Sequence, residues 1–254
     1  MQKQPLAGLN ILTTRPDKLA GRLVGPLQSA GAEVSNIPLL AIEPLELAPR
    51  QRQALLDLDQ FQKVVVISPS AADQLLQRLD DYWPQWPVGV EWFSVGAGTA
   101  RQLEKEGLQV NYPETGDKSE DLLLLPQLQD LDQKKLLLVK GAGGRPLLYD
   151  TLVSRGARVE VLELYQRVKP RLNRQQLDDL NHGPQQILVI SSGEALQQYI
   201  ELTQGGRKSV HLVLPSFRLE KMAREAGFDR VINSQGAGAE AVIQALSKKF
   251  ADAC

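Results

Sequence analysis

Apolar residues in this chain gather in short unbroken runs, each ending in a polar turn that leads into a helix-like stretch. The runs at 9–13, 63–67, 90–95, 135–139, 158–164, 186–190 and 210–214 predict strands. They are near-continuous rather than alternating, the pattern of strands covered on both faces. Helical spacing takes over between them. In Pro146 to Arg155, Leu148, Leu152 and Val153 share a face, Pro146 suits the first turn and Gly156 suits the stop. The matching stretch near the N-terminus carries Gly25-Pro26 in its interior, where a kink or a late start is expected. Strands of this kind alternating with helices predict parallel α/β sheets.

The pattern is written twice. Leu9 to Leu45 and Lys135 to Pro170 each run through an apolar strand, a polar turn with a cation, a helical stretch, a Gly-Ala step and an extended tail. Setting Gly31 on Gly156 places Arg15 opposite Lys140, so each copy has a positive charge where its first strand ends. The following segments also correspond: Lys63 to Leu79 resembles Gln186 to Leu202, and Trp92 to Leu108 lies alongside Leu212 to Phe228. A chain built twice from one βα pattern predicts two similar lobes with a ligand cleft between them. The tails Ile37 to Leu45 and Leu162 to Pro170 are extended and proline-bounded. They suggest that the chain begins one lobe, leaves to build the second, and returns, the tails pairing as a two-stranded β-ladder linker. The expected division is a discontinuous α/β lobe (1–37 plus 170–254), a continuous one (44–163), and linker strands 38–43 and 164–169. Two sequential domains split near residue 130 are the plainer alternative.

Composition narrows the partners. The chain has 254 residues, is 43% hydrophobic and 23% charged, and carries a net charge of −1. It has neither the basic excess expected for nucleic acid nor a polybasic segment for a membrane surface. Its longest apolar runs fall far short of a span, and MQKQPLAG lacks the apolar core of a signal peptide. The single cysteine is Cys254, and the histidines are His182 and His211, so a disulfide framework or a protein-made zinc site is not expected. A cytoplasmic, metal-free protein is the expectation.

In parallel α/β sheets ligands gather at the carboxyl ends of strands, where helix N-termini offer free N–H groups. Here those turns hold Thr13, Thr14 and Arg15; Ser68 and Ser70, with Asp73 at capping-box spacing; and Gly96, Gly98 and Thr99. The later ones hold Lys140, Gly141, Gly143, Gly144 and Arg145, then Ser191, Ser192 and Gly193, with Glu194 three past Ser191. Each hydroxyl taken singly reads as an ordinary N-cap. Together, five hydroxyl- or glycine-rich turns and three cations, with no paired catalytic carboxylates, describe a cradle for a polyanion. A dinucleotide fingerprint is lacking, since Arg101 stands where the third glycine would. GAGGR has no following Lys-Ser/Thr, so it is no P-loop, and neither histidine lies in a strand-end turn: His211 reads as strand and His182 as loop. Trp83, Trp86 and Trp92 read as packing residues. Tyr165 stands apart because it lies in the second tail, where its hydroxyl could face a cleft.

These segments resemble the uroporphyrinogen-III synthase family, and the resemblance spans essentially the whole chain. It is carried by TTRP at 13–16, GAEV with IPLLAIEP at 31–44, VVVISPSA at 64–71 and VGAGTARQL at 95–103. It continues in SEDLL at 119–123, LLVKGAGGR at 137–145, GARVEVLELYQRVKP at 156–170 and ISSGEAL at 190–196. The resemblance implies two α/β lobes, one discontinuous, joined by a two-stranded ladder. It implies a cofactor-free cytoplasmic monomer, a hydro-lyase that closes linear hydroxymethylbilane to uroporphyrinogen III with the last ring inverted through a spiro intermediate. Its partners would be that substrate and, transiently, the upstream hydroxymethylbilane synthase. Tyr165 matches the family's tyrosine and becomes the candidate general acid, since a phenol stays protonated at neutral pH. Thr99 matches a family threonine at the cleft and joins it as a catalytic candidate. Thr14, Arg15, Ser68, Ser70, Gly96, Gly98, Lys140, Gly141, Arg145, Ser191, Ser192 and Gly193 would hold the substrate's carboxylates. Lys140 departs from the arginine common in relatives and loses its bidentate fork. A non-catalytic two-lobe binding protein for an anionic small molecule would need the same turns but would have no use for Tyr165.

Overall fold

The computed structural model describes residues 4–204 and 209–250; Cys254 lies outside them. Its chain divides into two compact units, 1–41 with 168–254, and 42–167. The chain opens with β1 (Asn10–Thr13), α1 (Asp17–Ser29) and β2 (Glu33–Asn36). It continues through β3 (Ala41–Pro44), α2 (Pro49–Leu56), β4 (Lys63–Val66), α3 (Pro69–Leu79), β5 (Glu91–Ser94) and α4 (Ala97–Glu104). Then come β6 (Val110–Asn111), α5 (Ser119–Leu122), β7 (Lys135–Gly141), α6 (Leu147–Ser154) and β8 (Arg158–Val168). The last part holds α7 (Arg174–His182), β9 (Ile187–Val189), α8 (Gly193–Leu202), β10 (His211–Leu214), α9 (Phe217–Glu225), β11 (Val231–Asn233) and α10 (Ala239–Phe250).

Every predicted strand is present. Three short ones were not predicted: β2, whose residues are half exposed, and the two- and three-residue β6 and β11. The sheets run β2-β1-β9-β10-β11 and β3-β8-β7-β4-β5-β6, and the pairs from β8 to β6 and throughout the first sheet are parallel. Apart from β3, both sheets share one order of strands, as the written-twice pattern requires. Each is covered on both faces. In the first, Ile11, Ile187, Val189 and Val213 pack with Leu23, Leu27, Val242 and Leu246 on one side. Leu12, Leu188, Leu212 and Leu214 pack with Leu196, Tyr199 and Leu219 on the other. In the second, Val64, Val66, Trp92 and Val139 face Leu75 and Leu103, while Val65, Phe93 and Leu138 face Leu122, Leu148 and Leu152. This two-sided burial is why the strands read as continuous apolar runs. The tryptophans pack as expected: Trp83 Nε1 donates to Leu55 O at 2.8 Å, and Trp86 meets Trp92 edge-on.

Two details differ from expectation. α1 starts at Asp17 and includes Pro26, so the proline does not delay it. Ala20, Leu23 and Leu27 bury one stripe and carry the helix through, and the bond Pro26 cannot donate falls near the helix end. His182 ends α7, paired with Asp178, instead of lying in a loop.

The duplicated glycines close the duplicated helices identically. Gly31 N–H donates to Gln28 O and Ala32 N–H to Leu27 O; Gly156 N–H donates to Val153 O and Ala157 N–H to Leu152 O. These are paired C-terminal caps that need a left-handed residue, and φ is +101° at Gly31 and +93° at Gly156. In the second unit, Arg78 at the end of α3 ties two distant segments together. Its Nη2 donates to Leu45 O at 2.9 Å and Leu164 O at 3.4 Å, beside the bond from Leu45 N–H to Leu164 O at 2.9 Å. No helix among the described residues is long and apolar enough to cross a membrane.

Two stability predictions follow from this packing. Gly156→Ala forces a side chain into the left-handed region, with its Cβ 2.9 Å from Asp132 Cα; we expect a loss of at least about 1 kcal/mol, read as a lower urea midpoint. His211 is held below the ordinary imidazole value of 6.5, first by burial and then by Arg230 and Lys249. Its folded pKa is depressed, so its contribution is complete above the unfolded value and is lost as pH falls through the folded one. Unfolding curves from pH 7 to pH 5 should therefore show a pH-dependent loss in the native protein that His211→Gln reduces.

Candidate functional site

In each sheet the strand order reverses once, between β1 and β9 in the first and between β7 and β4 in the second. Such a reversal leaves neighbouring crossovers on opposite faces, and the crevice at the strands' carboxyl ends is where ligands bind. Thr14, Arg15, Ser191, Ser192 and Gly193 lie at the first reversal; Ser68, Lys140 and Gly141 lie at the second.

The second reversal holds the sharper arrangement. β7 and β8 pair in register from Lys135↔Arg158 to Lys140↔Glu163, then skip, so that Gly141 faces Tyr165 and Leu164 is the extra residue. This bulge puts Leu164 and Tyr165, adjacent in sequence, both into the core. The Tyr165 ring lies on Gly141, where a Cβ would stand 2.5 Å from Cζ and 2.6 Å from Cε2. Ala142 N–H donates to Tyr165 O at 2.7 Å, fixing the backbone on the far side of the skip. The phenol reaches Ser68, with Oη 3.0 Å from Oγ. Ser68 caps α3 by accepting from Ala71 N–H at 3.1 Å. Tyr165, Gly141 and Ser68, far apart in sequence, therefore form one contact group.

Other expected residues behave differently. Ser70 is not the cap; Pro69 opens α3, Ser68 precedes it, and Ser70 is buried inside the first turn. Likewise Ser192, not Ser191, caps α8, accepting from Ala195 N–H at 3.1 Å, so Glu194 is not at box spacing from the cap. Thr14 uses its hydroxyl on Val189 O at 3.2 Å, tying β1 to β9. Thr99 is buried in the first turn of α4, and no hydrogen bond joins it to Tyr165 or Ser68. Gly96 precedes α4 beneath Asp117, whose Cβ is 3.1 Å from where a glycine Cβ would be, and Gly98 is in open space.

The cations differ in how far they are neutralised. Arg145 is paired with Glu120 at 2.7 Å and 3.3 Å, and this bond draws the Glu120 carboxyl below its ordinary value. Lys140 lies 3.8 Å from Glu163. Arg15 donates through Nη2 to Ala237 O, but its Nε is buried with no hydrogen-bond partner among the described residues. Burial, and then Arg22, lowers the Arg15 pKa. A desolvated guanidinium with a donor unused and another cation nearby gains from an incoming anion.

The turn from β10 into α9 was missed. Ser216 Oγ accepts from Leu219 N–H at 3.4 Å, Phe217 is 78% exposed, and the Arg218 guanidinium lies 3.4 Å from where a Cβ on Gly193 would be. The signal was present in the internal match of this segment to the GAGTA turn. Among the described residues no cluster suited to a metal ion occurs.

Comparison with known proteins agrees with this architecture. A sequence model described as uroporphyrinogen-III synthase HemD matches residues 21–244. The chain is 31% identical over 249 residues to the uroporphyrinogen-III synthase of Escherichia coli, covering 94% of this chain and 100% of that one. It is 33% identical over 161 residues to that of Proteus mirabilis, covering 63% and 81%. In fold it is similar to the uroporphyrinogen-III synthetase of Helicobacter pylori, with TM-score 0.61, 14% identity, and 96% and 99% of the two chains covered. A mutant Thermus thermophilus synthase superposes with TM-score 0.57 at 18% identity over 95% and 100%. A match across most of the chain, in sequence and in fold, places it plainly: the chain belongs to the uroporphyrinogen-III synthase family.

Proposed function

We propose that this chain converts hydroxymethylbilane to uroporphyrinogen III, with Tyr165 as the proton source and the strand-end turns as the carboxylate cradle. The observation that carries the reading is the Tyr165–Ser68 contact at the strand-order reversal of the second sheet. The substrate has many carboxylates along a flexible chain. Each unit by itself offers such carboxylates a place: helix N-termini at Ser68 and Gly96 in one, and at Ser192 and Ser216, with the under-neutralised Arg15, in the other.

The chemistry begins with loss of the terminal hydroxyl. That hydroxyl accepts a proton and departs as water, while the pyrrole nitrogen's lone pair stabilises the carbon left behind as an azafulvene cation. The substituted carbon of the last ring attacks, forming a spiro intermediate that fragments and recloses with the ring reversed. The final ring closure releases a proton, so the enzyme ends as it began. The protein's largest contribution is positional, holding the substituted carbon closer to the cation than the unsubstituted one. On this reading the chain works as a cytoplasmic monomer and meets the upstream hydroxymethylbilane synthase only in passing.

The decisive experiment feeds freshly made hydroxymethylbilane to the purified protein and separates the oxidised products. Uroporphyrin III in excess is expected; isomer I alone from folded protein would leave an anion-binding role in its place. Tyr165→Phe should lower kcat roughly 100-fold without unfolding the protein, and unchanged turnover would remove the phenol from this role. Gly141→Ala, which pushes a methyl into the ring, should lower turnover at least as far, measured in the same assay.

A further inference from the structure

We infer that Ser68 delivers the proton to the leaving hydroxyl and that Tyr165 acts through it. The inference rests on the reading of Tyr165 as the proton source and assigns the route. Tyr165 is 2% exposed, its ring sealed against Gly141. A pyrrole-borne hydroxyl has no open approach to a phenol so enclosed. A buried phenol must still place its proton on an acceptor, and among the described residues that acceptor is Ser68 Oγ, 3.0 Å away.

Ser68 is half-buried, at the lip of the reversal, with extended backbone before α3. A hydroxyl has two lone pairs and one proton. One lone pair accepts Ala71 N–H at 3.1 Å, and in the proposed relay the other accepts the phenol, whose Oη lies 3.0 Å away. Its own hydrogen is thereby directed away from both, toward the side that is not buried. Two donors into one oxygen also polarise its O–H bond, and α3 starts immediately behind it.

In the step, the substrate's C–O bond breaks with its electron pair staying on oxygen. That oxygen takes the Ser68 hydrogen and leaves as water. Ser68 Oγ takes the Tyr165 hydrogen, and a phenolate remains. The proton released at final ring closure returns along the same pair, restoring both hydroxyls. No oxidant or further reactant is required.

The test is a set of variants assayed for kcat and KM, with urea midpoints measured in parallel. Ser68→Ala removes both the relay and the helix cap. Ser68→Asn keeps a good cap but cannot pass a proton, and Ser68→Thr keeps the hydroxyl. We expect Ser68→Ala and Ser68→Asn to lower kcat about as far as Tyr165→Phe, roughly 100-fold, with KM changed less than about threefold. Ser68→Thr should keep kcat within about fivefold, and Ser68→Ala with Tyr165→Phe should be no slower than the slower single variant. A slow Tyr165→Phe beside a nearly native Ser68→Ala would overturn the relay and leave Tyr165 as a direct donor. A native Tyr165→Phe beside a slow Ser68→Ala would overturn the reading of Tyr165 itself, and the relay with it. Independent, multiplying losses in the double variant, or a Ser68→Thr as slow as Ser68→Ala, would also overturn the relay.

Discussion

Parallel strands cannot be joined by a tight hairpin; the chain must cross back over the sheet, usually as a helix, before the next strand begins. Both sheets here obey that constraint apart from the placement of β3. Each strand therefore ends at the same edge of its sheet as its neighbours, and the helices that follow begin there with unpaired N–H groups. The polar turns are concentrated at one edge for this reason alone. Two-sided coverage by the crossovers then leaves the strands uniformly apolar, and the edges are where the chain can afford hydroxyls, glycines and charge.

Within that frame the two copies diverge at the same strand pair. β1 and β2 keep an unbroken register from Asn10↔Glu33 to Thr13↔Asn36. There Asn36 is occupied by Thr13, Arg15 O and Asp17. β7 and β8 skip one residue at the corresponding end. The skip changes which side chain faces the neighbouring strand, and the bare Gly141 leaves room for an aromatic ring to cross it. One copy thus turns Asn36 back onto its own turn, while the other carries a phenol across a strand to a serine.

Much of this could be read from the residues, and the failures have local causes. Seven strands were legible because burial on both faces makes an apolar run unmistakable. β6 and β11 are too short to form a run, and the half-exposed β2 looks polar. Ser68 and Ser70 both precede α3 plausibly, and only the position of Pro69 at the first helical residue separates cap from interior. The group of Tyr165, Gly141 and Ser68 was legible as three candidates but not as one contact. The bulge that joins them depends on tertiary pairing, and nothing in Glu163-Leu164-Tyr165 announces which residue will be the extra one. Arg145 was legible as a cation; that Glu120 already engages it was not.

The bonds around Leu45, Leu164 and Arg78 bear on how such a chain is put together. The 42–167 unit is entered and left within one strand spacing, roughly 5 Å, since Leu45 and Leu164 are hydrogen-bonded neighbours and one guanidinium holds both carbonyls. An insert whose ends already meet asks no stretching of the chain that receives it. The unit resembles a parcel tied at its own neck, its two ends held together by its own residues.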